Sequence, residues 1–167
     1  MIRTGLGYDS HRFAAGNSIW LGGIEIPHDK SFSAHSDGDV VLHALTDAIL
    51  GAIAAGDIGE HFPPSDNQWK GKSSDHFVKH AVNLASQKNF CIGNIDITII
   101  AEEPKLSPHK AAIACKIAEI LQIQPHLVSV KAKTNEKMGS LGRSEGIAVL
   151  ANVLLIDKSL SNKFSEL

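Results

Sequence analysis

Two histidines and two aspartates fall within the run His35-Ser36-Asp37-Gly38-Asp39-Val40-Val41-Leu42-His43. Imidazoles and carboxylates at this density can hold a divalent metal, and a helix start beside them offers amides to an anion. Upstream, Asp9 and His11 stand one residue apart in Gly7-Tyr8-Asp9-Ser10-His11. Alternate residues of a strand share a face, so the pair projects to one side, next to Gly5 and Gly7, which leave room. Asp-x-His is a two-ligand geometry for a metal, although many strands carry such a pair facing water. Asp9, His11 and His43 together make a three-ligand set, and three protein ligands with one open position mark catalytic rather than structural zinc. Nine histidines in 167 residues point the same way. Further on, Thr134 can donate to a phosphate oxygen, Glu136 can ligate a hard cation such as Mg²⁺, and Lys131 and Lys133 lie close by. A borderline metal, a hard metal and donors for anions together suggest a diphosphate substrate.

The elements that must position these groups are legible in outline. Residues 2–13 read as a strand with Arg3, Gly5, Gly7, Asp9, His11 and Phe13 on one face. Residues 18–27 read as a hairpin turning at Gly22-Gly23. Ser36 and Asp39 have the spacing of a capping box, predicting a helix over about 39–55 with Asp39, His43 and Asp47 on one face. That stretch also reads as a plain capped helix with a satisfied core histidine. Asp47 could hold the second nitrogen of His43 or support the site nearby. Glu60 to Ser73 has no periodicity and reads as a lid or as a disordered surface loop. A helix over 74–88 capped by Ser73 or Ser74, a strand over 90–101, and a helix opening at Ser107-Pro108 follow. Val128 to Thr134 and Gly146 to Asp157 complete the strands, the last apolar enough to be buried on both faces. The order implies an α/β, α+β-like sandwich: one mixed sheet with helices packed on one face, the other covered by another subunit. Residues 1–157 form one domain, and 158–167 a frayed polar tail.

A net charge of −2 argues against a nucleic-acid partner. The two cysteines, Cys91 and Cys115, sit in apolar segments and read as buried free thiols. No apolar run is long enough to span a membrane, and the N-terminus has no leader composition, so a cytoplasmic location is expected.

With these residues in order, the chain closely resembles the 2-C-methyl-D-erythritol 2,4-cyclodiphosphate synthase family over residues 2–157. The motifs are Gly7-Tyr8-Asp9-Ser10-His11, Ala34-His35-Ser36-Asp37-Gly38-Asp39 through His43, and Ala55-Gly56-Asp57-Ile58-Gly59. They continue with Asn94-Ile95-Asp96, Pro104-Lys105, Lys131-Ala132-Lys133-Thr134-Asn135-Glu136-Lys137-Met138-Gly139, and Gly142-Arg143-Ser144-Glu145-Gly146. The resemblance implies a homotrimer with sites between subunits and one Zn²⁺ per subunit on Asp9, His11 and His43. It implies that His35 and Ser36 contact phosphate and erythritol, with His35 and Thr134 stabilising the transition state. Asp57 and Gly59 would hold the ribose, and Ser10 and Ile58 would also contact the substrate. The loop Ala101, Glu102, Glu103, Pro104, Lys105, Leu106, Ser107 would enclose cytosine. Glu136, flanked by Lys133 and Asn135, would help place a second ion, Mg²⁺ or Mn²⁺. Phe62, Pro63, Pro64, Ser65 and Asp66 would form the lid. Ser140 would face a central cavity able to take an isoprenoid diphosphate, and Arg143 would either converge on that cavity or pair with Glu145 and tie the trimer together. The implied reaction is an internal phosphoryl transfer that expels CMP from a cytidine diphosphate ester.

The chain departs from the family pattern at Pro64, where relatives carry a carboxylate, at Asn135, and at Ser140, where many carry Phe. Two other readings are a metal-dependent phosphodiesterase and a trimeric binding module without turnover.

Overall fold

The structure, a computed structural model, describes residues 1–33, 37–63, 65–69 and 71–160. Strand β1 (Ile2–Ala15) alternates along its length: Gly5 and Gly7 are buried, Asp9, His11 and Phe13 half-buried, and the residues between them exposed. The short strands β2 (Ser18–Leu21) and β3 (Ile24–Pro27) pair as a hairpin whose turn residues Gly22 and Gly23 both have positive φ, 63° and 81°. That is the turn geometry that glycine adopts without strain. Strand β4 (Lys30–Phe32), not foreseen from sequence, pairs with the end of β1. Then come helices α1 (Val40–Ala52), the single turn α2 (Ile58–His61) and α3 (Asp75–Gln87). Strand β5 (Phe90–Ile100), helix α4 (Lys110–Leu121), strand β6 (Val128–Lys133), the single turn α5 (Gly139–Gly142) and strand β7 (Gly146–Asp157) complete the chain.

The main sheet is mixed and five-stranded, in the order β4-β1-β7-β5-β6; β5 and β6 run parallel, and the other neighbours antiparallel. The β2–β3 hairpin is a separate two-stranded sheet, so the expected single sheet is in fact two. Ile95, Ile97 and Ile99 of β5 and Ile147, Val149, Ala151, Val153 and Leu155 of β7 line the core beneath Val41, Leu45, Ile49, Val78 and Ile117 of the helices. Within the single chain β7 is covered on one face only: Leu150, Leu154 and Ile156 are half-buried and Asn152 is exposed. Among the described residues, no helix is long and apolar enough to cross a membrane.

Small residues set how close α1 comes to the sheet. A Cβ on Gly5 would lie 1.9 Å from the carbonyl oxygen of Ala48, and one on Gly7 1.9 Å from that of Ala44. The clash is with backbone, so no rotamer relieves it. Gly7→Ala is expected to destabilise the fold by about 3 kcal/mol or more. Gly51 is the control, since a Cβ added there would meet nothing within 4 Å; Gly51→Ala should stabilise α1 by about 0.5–1 kcal/mol. Thermal unfolding of the two variants checks both signs.

Several helix starts differ from expectation. Asp39 is itself the N-cap of α1, accepting from the N–H groups of Val41 (3.1 Å) and Leu42 (3.0 Å). The same buried carboxylate accepts from Gly22 N–H (2.8 Å) and Gly23 N–H (2.6 Å), fastening the hairpin to the helix start. Ser36, its expected capping-box partner, lies outside the described residues. Ser107 is not the cap of α4: that helix begins after His109, because buried Leu106 turns the chain first, its carbonyl accepting from His109 N–H at 2.9 Å. The cysteines are less buried than expected: Cys91 is half-buried against the carbonyl of Ile156, and Cys115 is exposed on α4. Lys158 and Ser159 are tied down rather than frayed. The Lys158 amine donates to Ser86 Oγ at 2.7 Å, and Ser159 Oγ to Asp157 at 2.7 Å. Residues 161–167 lie outside the described residues.

Candidate metal centre and phosphate site

The alternation of β1 turns Asp9 and His11 toward α1, which presents His43 one turn from its N-terminus. Their donor atoms all lie within 4.8 Å of one another. Asp9 Oδ2 is 3.2 Å from His43 Nδ1 and 3.3 Å from His11 Nδ1. Ligands of a tetrahedral ion at bond lengths near 2.1 Å lie about 3.4 Å apart, so these separations suit one. Among the described residues, His11 Nδ1 is buried and makes no hydrogen bond, although it faces a carboxylate. A buried nitrogen left without a hydrogen bond is costly unless something else fills its lone pair, and a cation does that. Burial lowers the His11 pKa, Asp9 opposing and the neighbouring His43 assisting, and a neutral imidazole is the form that ligates. The donor set therefore fits a borderline divalent metal.

Asp47 does not carry the second nitrogen of His43; its Oδ1 accepts from Ile58 N–H at 2.8 Å. It supports the site one step away, by fixing the loop Asp57-Ile58-Gly59. Burial raises its pKa, against the stabilising Ile58 bond. Asp57 caps α2, accepting from Glu60 N–H at 3.0 Å, and remains exposed beside Ile58 and Gly59. The His43 Nε2 lies instead 2.9 Å from the hydroxyl of Ser74. Sequence reasoning gives Ser74 only the role of a helix cap.

His35 and Ser36, expected to contact phosphate, lie outside the described residues, as does Pro64. The described residues of the 60–73 segment, which leave out Lys70 as well, are better anchored than a free loop. Phe62 is buried, with ring centroids 4.9 Å from Trp69, 4.6 Å from Phe77 and 5.0 Å from His80. Asp66 accepts from Gln68 N–H at 3.1 Å, and Ser65 is exposed beside half-buried Pro63.

The second constellation is organised by Glu102. Its Oε1 accepts from the backbone N–H groups of Asn135 (2.9 Å) and Lys137 (3.1 Å), where Glu136 and Lys137 take φ of 49° and 61°. Thr134 Oγ1 donates to Glu136 Oε1 at 3.1 Å, and both side chains are exposed. Ala101 and Leu106 are buried, while Glu103, Lys105 and Ser107 are exposed around half-buried Pro104. Glu103 takes the Lys30 amine at 3.3 Å; hydrogen bonds from Ser144 and Lys30 hold its carboxyl below the usual range. Lys131 points away, its amine 2.6 Å from Asp96, and Lys133 shares that outer face. Arg143 pairs with Glu145 at 2.8 Å, with Ser140 exposed on α5.

The two constellations sit at the same end of the sheet but apart. Asp9 pairs with Val149, Val149 with Ile99, and Ile99 with Ala132. Three inter-strand steps separate Asp9 from the strand that leads to Thr134, about 14 Å.

The model of the YgbB family matches residues 2–156, the whole five-stranded sheet apart from Asp157. The chain belongs to the YgbB family. A solved 2C-methyl-D-erythritol-2,4-cyclodiphosphate synthase of the same fold superposes at a TM-score of 0.85 with 36% identity, over 92% of this chain and 100% of that one. The Plasmodium falciparum IspF, solved as a CDP complex, gives a TM-score of 0.84 and 40% identity over 94% of this chain and 97% of that one. A bifunctional IspD/IspF enzyme of Novosphingobium aromaticivorans is 58% identical over 149 residues, 89% of this chain and 39% of that protein. The chain spans about two-fifths of the length of such bifunctional relatives, 39% and 41% in two of them.

Proposed function

We propose that this protein is a 2-C-methyl-D-erythritol 2,4-cyclodiphosphate synthase, a phosphorus–oxygen lyase of isoprenoid precursor synthesis in the cytoplasm, residues 1–157 being one catalytic unit. The observation that carries the reading is the Asp9–His11–His43 cluster, with its orphaned His11 nitrogen, in a YgbB-family fold. The substrate is 4-diphosphocytidyl-2-C-methyl-D-erythritol 2-phosphate. An oxygen of its 2-phosphate attacks the β-phosphorus, the bond from that phosphorus to the oxygen shared with the α-phosphate breaks, and CMP leaves. The nucleophile is already an anion, so no general base is needed. The site has to bend the substrate and neutralise charge on the transferring group.

Asp9, His11 and His43 would hold Zn²⁺, which would supply Lewis-acid stabilisation of the transferring phosphoryl group. Thr134 donates its hydroxyl to the same phosphates, its Glu136 contact exchanging for a phosphate oxygen, while the Glu136 carboxylate helps hold Mg²⁺ or Mn²⁺. His35 and Ser36 meet the phosphate and erythritol. Asp57 and Gly59 hold the ribose, residues 101–107 enclose the base, and Ser10, Ile58, Lys133 and Asn135 are further substrate contacts. Residues 62–66 close over the bound substrate.

The site is shared in a homotrimer. Two features support this: the 14 Å gap within one chain, and the apolar outer face of β1, where Ile2, Leu6 and Tyr8 are 58%, 62% and 57% exposed. A face like that on a β-strand wants a partner's cover. The three-fold axis would gather Ser140 and Arg143 around a cavity for an isoprenoid diphosphate. Incubation of the purified protein with the cytidine substrate and Mg²⁺ should yield CMP and the cyclic diphosphate in equal amounts; no CMP release under any divalent metal would overturn the assignment.

A further inference from the structure

The hydroxyl of Ser74 is fully buried, at 0% exposure, on the first residue before α3. A serine there ordinarily caps the helix, yet this one makes no side-chain cap bond. Its oxygen lies instead between two groups remote in sequence: it bonds to Asp37 Oδ1, and His43 Nε2 is 2.9 Å away. Asp37 Oδ2 also accepts from the Ser74 N–H at 2.8 Å, and Asp37 Oδ1 from the Asp39 N–H at 3.2 Å.

Valence fixes the direction of this chain of bonds. An ionised carboxylate can only accept, so the single hydroxyl proton of Ser74 goes to Asp37. The Ser74 oxygen is then left with lone pairs, so His43 must donate to it through Nε2–H. A neutral imidazole with Nε2 protonated has its lone pair on Nδ1, and Nδ1 is the nitrogen 3.2 Å from Asp9 in the metal cluster.

We propose that Asp37 and Ser74 are positioning residues for the metal centre, setting the tautomer and ring orientation of His43 so that Nδ1 meets the ion. The inference rests on the metal reading above but names the groups outside the ligand set that make it work. Ser74 ends the segment that begins at the Phe62 cluster, and Asp37 stands two residues before Asp39, the N-cap of α1. Their bond ties the start of α3 and the approach to α1 to one ligand, so the hold on the metal depends on α3 being docked beside Asp37. Asp47, on the same face of α1 as His43, has no part in it because its carboxylate is turned to Ile58.

Two measurements test this, and neither uses turnover. Long-range ¹H–¹⁵N correlation spectra of the metal-free wild type report the His43 tautomer. The proposal requires a protonated Nε2 and an unprotonated Nδ1, and the opposite tautomer overturns it whatever any variant does. Zinc affinity, measured by competition with a chromogenic chelator, should fall about 10- to 100-fold in Ser74→Ala, the size of loss typical for partners of metal-bound histidines. An unchanged affinity in a folded Ser74→Ala overturns the positioning role. If that variant does not fold, the wild-type spectrum alone decides.

Discussion

His11→Ala will lose bound metal and turnover together, with kcat/KM lowered by at least about 10³-fold. A metal-bound phosphoryl oxygen is stabilised by several kcal/mol in the transition state, and each 1.4 kcal/mol is about tenfold in rate. The fold should survive, because β1 is held by a backbone ladder to β7 running from Ile2 to Arg12, which the side chain does not join. The substitution also removes a buried nitrogen that makes no hydrogen bond among the described residues. Elemental analysis and steady-state rates on the same preparation check the pairing. Stoichiometric zinc in the variant would show that the ion sits elsewhere.

The second large effect is recovery rather than loss. His43→Ala disables the metal half of a site, and Glu136→Ala the half that meets the nucleotide. Each variant alone is expected to be inactive. In a closed three-fold assembly every interface is heterologous, so each subunit lends one half and receives the other. Co-expressed and randomly assembled, about a quarter of the interfaces would pair two intact halves by that symmetry. Activity should return to about that fraction of wild type. Mixed trimers that remain as inactive as their parents would place the whole site in one subunit, against the register that puts three inter-strand steps between Asp9 and Ala132.

The residues that converge on the metal can be read from spacing because they lie on regular elements. Alternation puts Asp9 and His11 on one face, and His43 falls on a helix whose apolar positions make its type plain. The partner of His43 cannot be read that way. Asp47 is one helical turn beyond it and is the natural expectation, but its carboxylate serves the Ile58 amide. Ser74 approaches from another helix across 31 residues of sequence, a contact that only tertiary packing creates. Asp39 is legible as a helix-start residue; its second role, receiving Gly22 and Gly23, depends on where the hairpin lands. The last strand is apolar on both sides, and within one chain Leu150, Leu154 and Ile156 are only half-covered. The same apolar surplus on β1 and β7 is what the proposed trimer would use. The short elements β4, α2 and α5 escape detection because three or four residues carry no period.

The central claim, that the substrate's own phosphate is the nucleophile, is tested most directly by running the reaction to completion in H₂¹⁸O. The products are then read by mass spectrometry and ³¹P NMR. Internal attack draws no oxygen from solvent, so CMP and the cyclic diphosphate should both be free of ¹⁸O. One solvent oxygen per turnover in CMP or in an open-chain diphosphate would mean that water attacks, and the protein would be a hydrolase on this fold.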